Sequence, residues 1–275
     1  MSSFYWLALV ESVVLGLLCG VVGTIVVLRR RAFFTVALTH ATFPGGVVAA
    51  IGGFSVLLGA GVFSVVLVAV MTAISRVRRQ GSQVASGVVL TGGFALGMLL
   101  QSLTPSLPVQ VDTLLVGSIL TVTRGDILAA AIVLLVAVLV LLVAGKELLF
   151  SSFDPWGFRA AGYREHAMDA VALTLIAATV VVAMPAVGSI LAIALIVGPA
   201  ATAGLLVRRV SRIIPVACVL GALSGVLGLL ASRAWNIAGG AAICLVAAVF
   251  FVLATLSAPH VRRRRLRRLR SQAQL

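Results

Sequence analysis

Hydrophobic positions fill this chain in long unbroken runs, at roughly 5–28, 33–53, 55–75, 84–103, 126–145, 168–185, 187–207, 213–232 and 237–257. Each run is about 17–23 residues, enough to carry a helix across a hydrocarbon core of about 30 Å. The runs are continuous rather than alternating over ten-residue segments, so the pattern predicts membrane-spanning helices and not a barrel. Polar positions gather in short connections, and the longest, about 146–168, is too short to build a soluble core. The stretch 111–122 follows the turn Thr104-Pro105-Ser106-Leu107-Pro108 and is too short to span. It is expected to be a re-entrant or surface helix. No internal repeat stands out.

Composition agrees with that picture. Of the 275 residues, 61% are hydrophobic and 10% charged, against about 45–50% and about 25% in soluble domains. A net charge of +14 would suggest a nucleic-acid partner in a soluble chain. Its placement argues against nucleic acid. Sixteen of the 21 basic residues lie in four knots: Arg29 to Arg31, Arg76/Arg78/Arg79, Arg208/Arg209/Arg212, and the arginines from Arg262 to Arg270. Such knots fix orientation as positive-inside flanks and touch anionic lipid headgroups. Placing all four on one side predicts nine crossings, an N-terminus outside and a cytoplasmic C-terminus. The 146–168 loop, with Lys146, Arg159 and Arg164, then falls in the cytoplasm, and Arg124 and Arg233 face out. Residues 1–258 are expected to form one transmembrane domain and 259–275 a basic cytoplasmic tail, disordered or lying as a helix on the membrane surface.

Met1 to Trp6 lacks the basic start and cleavage site of a signal peptide, so the first helix is expected to be retained. Cys19, Cys218 and Cys244 are isolated inside apolar runs, with no disulfide frame or metal spacing. Glycines are often paired, as at Gly45-Gly46, Gly92-Gly93 and Gly239-Gly240. Small residues of this kind let membrane helices approach closely.

The candidate chemistry begins at His40, in Val36-Ala37-Leu38-Thr39-His40-Ala41-Thr42-Phe43-Pro44. An imidazole inside a membrane helix marks a functional site by default. Pro44 cannot bond the carbonyl four residues back, which belongs to His40, so imidazole and freed carbonyl are expected side by side. Lining a passage and packing as a satisfied core histidine both remain open for the ring. Glu11 is either an acid that draws cations to a pore mouth or a side chain snorkelling to the interface. Asp112 and Asp126 flank the short 111–122 stretch, where capping helix starts competes with metal contact. Pro199 frees the carbonyl of Leu195 within a long apolar run.

A second informative segment runs from Phe153 to Tyr163. Asp154 before Pro155 is a helix start and Gly162 a stop, predicting a short helix bearing Trp156, Phe158, Arg159 and Tyr163. Aromatics and arginine are enriched at protein–protein hot spots; a membrane-surface anchor is the alternative. Nothing in the sequence assembles a catalytic constellation. There is no phosphate-cradling glycine-lysine loop, no nucleophile beside a base and no pair of close carboxylates.

Several segments, in order, resemble the permeases of metal-importing ABC transporters of the manganese/zinc/iron family. Val27-Leu28-Arg29-Arg30 followed by Ala37-Leu38-Thr39-His40-Ala41 and Pro44-Gly45 is similar to that family's second-helix signature. Asp112 to Thr123 with Asp126, Phe153-Asp154-Pro155 through Gly162, and Val187-Gly188 through Pro199 to Ala203 resemble its later segments. The resemblance covers about residues 10–256. It implies an all-α, type II ABC importer-like permease of about eight to nine transmembrane helices in the cell membrane. The implied cargo is a divalent cation such as manganese, zinc or iron, with no intrinsic cofactor, and ATP is bound by a partner subunit. Implied partners are that ATPase subunit, an extracytoplasmic metal-binding protein, and a second copy or sister permease. By resemblance His40, Thr39, Asp112 and Glu11 would mark the metal path, with Pro44 and Pro199 as kinks along it. Phe153, Asp154, Pro155, Trp156, Phe158, Arg159, Gly162 and Tyr163 would form the ATPase-coupling helix. The family often carries an acid four residues before the histidine; here that position is Val36. The alternatives are a self-contained secondary transporter or channel, a scaffold protein, and an ABC permease for a chelated metal. A proton-coupled carrier would need more intramembrane acids than Glu11.

Overall fold

The computed structural model describes residues 3–75, 82–104, 117–207 and 209–272. Within them the chain is a bundle of helices. α1 (Ser3–Leu28) is followed by α2 (Ala32–Ala41), α3 (Phe43–Ile51), α4 (Val56–Ser75) and α5 (Ser82–Ser102). A 3-10 turn at Ile119–Thr121 leads into α6 (Arg124–Phe153), α7 (Pro155–Ala160) and α8 (Glu165–Val187). α9 (Ser189–Leu206), α10 (Val210–Trp235) and α11 (Gly239–Gln272) complete it. Among the described residues eight helical segments are long and apolar enough to cross a membrane, α2 and α3 counting together. α9 is set apart as a shorter apolar helix, Leu191–Leu206.

Two ends of the bundle can be told apart by what meets there. At one end the Ser118 N–H donates to the Pro185 carbonyl (3.0 Å), and Arg233 lies over the ring of Tyr5 (5.0 Å). Gly117 and Gly188, both with positive φ, abut one another, and Gly240 rests on Val187. At the other end Arg29 bonds Ser151 and Asp169, joining the foot of α1 to the end of α6 and the start of α8. The starts of α1, α6, α9 and α11 therefore share a side, and the starts of α2, α8 and α10 share the other.

Side-chain caps set several boundaries. Thr123 and Asp126 form a reciprocal capping box at the start of α6, the capping role expected as one alternative for Asp126. α10 stops at Asn236, whose left-handed backbone (φ 51°) a short polar side chain tolerates. Arg30 has the same conformation (φ 54°). The Arg31 N–H reaches the Val26 carbonyl and the Arg30 N–H the Val27 carbonyl, which closes α1 as a Schellman turn.

With lipid outside, shape holds these helices together. α1 is the central post. Ser12, Gly16 and Gly20, one turn apart, meet Gly225, Gly221 and Cys218 of antiparallel α10 backbone to backbone. A Cβ added at Gly16 would stand 2.5 Å from the Gly221 carbonyl. Gly23 meets α9 at Ile196 in the same way, and Gly228 of α10 meets α11 at Ile243. α6 lies at the periphery, with Leu128, Leu135, Leu142 and Val143 exposed along it.

The structure differs from the sequence expectation in four places. The run at 33–53 is two helices, split at Thr42. α6 continues past 145 to Phe153, because nothing before Asp154 and Pro155 stops it. Of the short 111–122 stretch, residues 111–116 and with them Asp112 lie outside the described residues, and the rest is extended chain and the 3-10 turn. α11 continues unbroken to Gln272.

Gly16→Ala is expected to lower the thermal unfolding midpoint of the detergent-solubilised protein, with an overpacking cost of about 1–3 kcal/mol. Gly87→Ala, where nothing lies within 4 Å of the added carbon, should leave the midpoint unchanged or raise it. Equal midpoints for the two variants would contradict the glycine seam.

Candidate functional site

His40 sits in the last turn of α2, just below the break. Thr42 closes that helix by donating its N–H to the Leu38 carbonyl (3.1 Å), and Pro44 opens α3. A proline in the first turn of a helix loses no hydrogen bond, since that N–H has no partner inside the helix. Among the described residues the His40 carbonyl has within reach only the same Thr42 N–H, which is given to Leu38. α5 supplies the seat for the break. Gly93 lies under Ala41 and Gly97 under Phe43, where side-chain carbons would stand 2.7 and 2.3 Å away. Phe94 between them meets the His40 ring edge-on (6.2 Å) and Phe43 (6.0 Å).

The imidazole is half-buried and oriented by its own helix. Its Nδ1 lies 3.1 Å from the Val36 carbonyl and 3.0 Å from Thr39 Oγ1. The Thr39 hydroxyl donates to that same carbonyl (2.8 Å), so its proton is committed. Both acceptors are then satisfied by one arrangement, with the proton on Nδ1. That assignment leaves the Nε2 lone pair free, the state in which a neutral histidine binds metal. Val36 contributes the orienting oxygen from its main chain, which side-chain identity alone could not reveal.

On the same face of α2, Phe33 and Val36 line a groove of about 460 Å³ whose other walls are α9 and α11. Gly198 and Ala201 face this groove, whereas Pro199 between them is buried in the bundle. Pro44 is likewise buried, against α5. Glu11 does not snorkel: it is wholly buried on α1, and among the described residues neither carboxylate oxygen has a hydrogen-bond partner. α1 packs chiefly on α10, α9 and α6, so Glu11 belongs to that core and is not brought to His40. Among the described residues no three His, Cys, Asp or Glu side chains gather as a metal site. His40 lies one turn beyond Val36 on α2 and is not itself among the residues lining that groove.

The second segment folds as a small, self-anchored unit. Asp154 accepts the Gly157 N–H (2.8 Å), Pro155 starts α7, and Gly162 (φ 83°) ends it. Phe158 does not point outward as an interface residue would. It is 1% exposed, edge-on to Phe150 (5.4 Å) and stacked on Tyr163 (4.8 Å). Trp156 is 78% exposed with the Arg159 guanidinium over its ring (4.7 Å), and Phe153 and Tyr163 are exposed beside it. Arg159 also pairs with Glu165 at the start of α8 (2.9 Å). One turn further along α8, Asp169 takes Arg29 (3.0 Å) and Arg31 (2.8 Å) from the α1–α2 turn. Burial lowers the Arg29 pKa from its ordinary value, and the Asp169 carboxylate opposes that shift. Asp169 escaped the sequence reading because its partners lie some 140 residues away.

Residues 1–258 match the family model described as "ABC 3 transport family". The chain is 33% identical over 257 residues to the manganese transport system membrane protein MntC of Listeria monocytogenes, covering 94% of this chain and 91% of that protein. It is 32% identical over 255 residues to the manganese import system permease protein ScaB of Streptococcus gordonii, with 93% and 91% covered. Its fold is similar to that of PsaBC from Streptococcus pneumoniae, solved in complex with Fab, with a TM-score of 0.85 at 31% identity over 97% of this chain and 96% of that one. The chain belongs to the ABC 3 transport family and is a multi-pass protein of the cell membrane.

Phe158→Ala is expected to loosen the 150–165 connection, since emptying a buried phenylalanine site costs about 3–5 kcal/mol. Limited proteolysis should cut there faster than in wild type, whereas Trp156→Ala should leave the cutting rate unchanged. Equal rates in both variants would refute the anchoring role of Phe158.

Proposed function

We propose that this chain is the transmembrane permease of an importer that carries a divalent metal cation, manganese, zinc or iron, and is driven by ATP hydrolysed in a partner subunit. The observation that carries this reading is the likeness, along nearly the whole chain, to MntC, ScaB and PsaBC. The geometry supports it at both ends. The arginine-rich end, with Arg29 to Arg31, Lys146 and Arg159, belongs in the cytoplasm among anionic headgroups. Both ends of the proposed topology follow, with the N-terminus outside and residues 259–275 as a cytoplasmic tail.

The exposed face of Phe153, Trp156, Arg159 and Tyr163 on and around α7 is the ATPase-docking surface. An extracytoplasmic metal-binding protein delivers the cation to the opposite mouth. His40 takes it through Nε2, with Thr39 and the Val36 carbonyl holding the ring. One nitrogen is an incomplete coordination shell, so a second permease copy or a sister permease completes the path. The resulting weak contact suits conduction, because the ion must also leave. Motion of the docked ATPase subunits moves α7 and exchanges which side is open.

The complex of this permease with its ATPase subunit, reconstituted in liposomes, is expected to take up cation only when ATP and the loaded binding protein are present. His40→Ala should cut that uptake by about tenfold or more, the scale on which metal sites respond to loss of a supporting group, with the ATPase still copurifying. Trp156→Ala should instead release the ATPase. Undiminished uptake by the His40 variant would remove the imidazole from the path.

A further inference from the structure

α2 is built as a short lever. It is ten residues long, and its hydrogen-bond ladder is separate from that of α3. Its upper end turns at Thr42 on the glycine seat of α5. Its foot is Arg31, whose carbonyl takes both the N–H (3.0 Å) and the hydroxyl (3.1 Å) of Thr35. His40 lies nine residues above Arg31, about 13–14 Å along the axis.

The foot is held by charge. Left-handed Arg30 throws its own side chain outward and lets both flanking guanidinium groups reach Asp169. Arg31 binds the carboxylate through both oxygens (3.0 and 2.8 Å). Arg29 is 7% exposed and also bonds Ser151 at the end of α6. Stripping the partner from a guanidinium shielded to that degree leaves an uncompensated charge, so this hold is stiff. Asp169 shares a face of α8 with Glu165, one turn earlier, and Glu165 is the residue bonded to Arg159 of α7. That outer pair is half exposed, and such pairs are weak and adjustable.

Resting on the permease reading above, we propose that Asp169 is a positioning residue for transport, linking movement of α7 and the start of α8 to the foot of α2 and so to His40. Displacing α8 pulls on Arg31, tilts α2 about Thr42 and carries the imidazole with it. The lever needs the Asp169 charge, and the docking of α7 does not.

The test uses the reconstituted complex and reads cations imported per ATP hydrolysed. Asp169→Asn should keep ATPase copurification and ATP turnover near wild type while the ratio falls about tenfold, within the usual range of coupling energies. Asp169→Glu, which keeps the charge, should restore most of the ratio. A merely structural role would lower assembly, turnover and uptake together and leave the ratio unchanged; an unchanged ratio in Asp169→Asn overturns the proposal. If that variant does not assemble, Arg31→Gln decides, because it leaves Arg29 paired with Asp169: a lowered ratio supports the lever and a wild-type ratio overturns it. A wild-type complex that imports no cation with ATP would sink the permease reading itself, a different failure from coupled variants in a working complex.

Discussion

Contact between bare backbones governs this molecule. Lipid tails are as apolar as leucine, so burying apolar side chains does not drive helices together in a bilayer as it does in water. What remains is fit, and the fit at α1 and α10 depends on glycine and other small residues facing each other turn by turn. The same device recurs wherever position matters. Gly23 brings α9 against α1, Gly93 and Gly97 receive the α2–α3 break, and Gly117 meets Gly188 where two distant segments converge. A rigid central post follows, with α1, α9 and α10 tightly joined and α6 on the rim.

Against that frame, the two candidate functional segments are short and separately jointed. α2 ends where Thr42 and Pro44 begin a new helix, and α7 is a six-residue unit between a cap and a glycine. Switching transitions of this type move discrete packed elements instead of bending continuous ones. The connection between the two units is electrostatic, running through Arg31–Asp169 and Arg159–Glu165, pairs that keep partial exposure.

Much of the architecture was legible in the residues. Continuous apolar runs located the spans, and Asp154, Pro155 and Gly162 bounded α7 before any coordinates. What stayed hidden was relational. Nothing local says that Phe158 turns inward while Trp156, two residues earlier, turns outward; Phe150 and Tyr163 decide it. Glu11 looked able to reach the interface, yet tight packing of α1 on its neighbours encloses it. Val36 looked like a lost ligand, although its carbonyl still orients the ring. The split at Thr42 was foreshadowed by Pro44, but whether the proline bends one helix or begins another depends on the seat that α5 offers.

The inward turn of Phe158 has a bearing on recognition. With that ring clasped by its neighbours, the small helix around it is held in shape by the chain itself. An incoming protein surface has no ordering entropy to overcome there, and flexible segments that fold upon contact forgo that advantage. Trp156 and Arg159, stacked on one another, arrive as one flat preassembled plate. For the docking proposed above, attachment would be rapid and repeatedly reversible, since grip would reside in the plate's outline and not in any folding event.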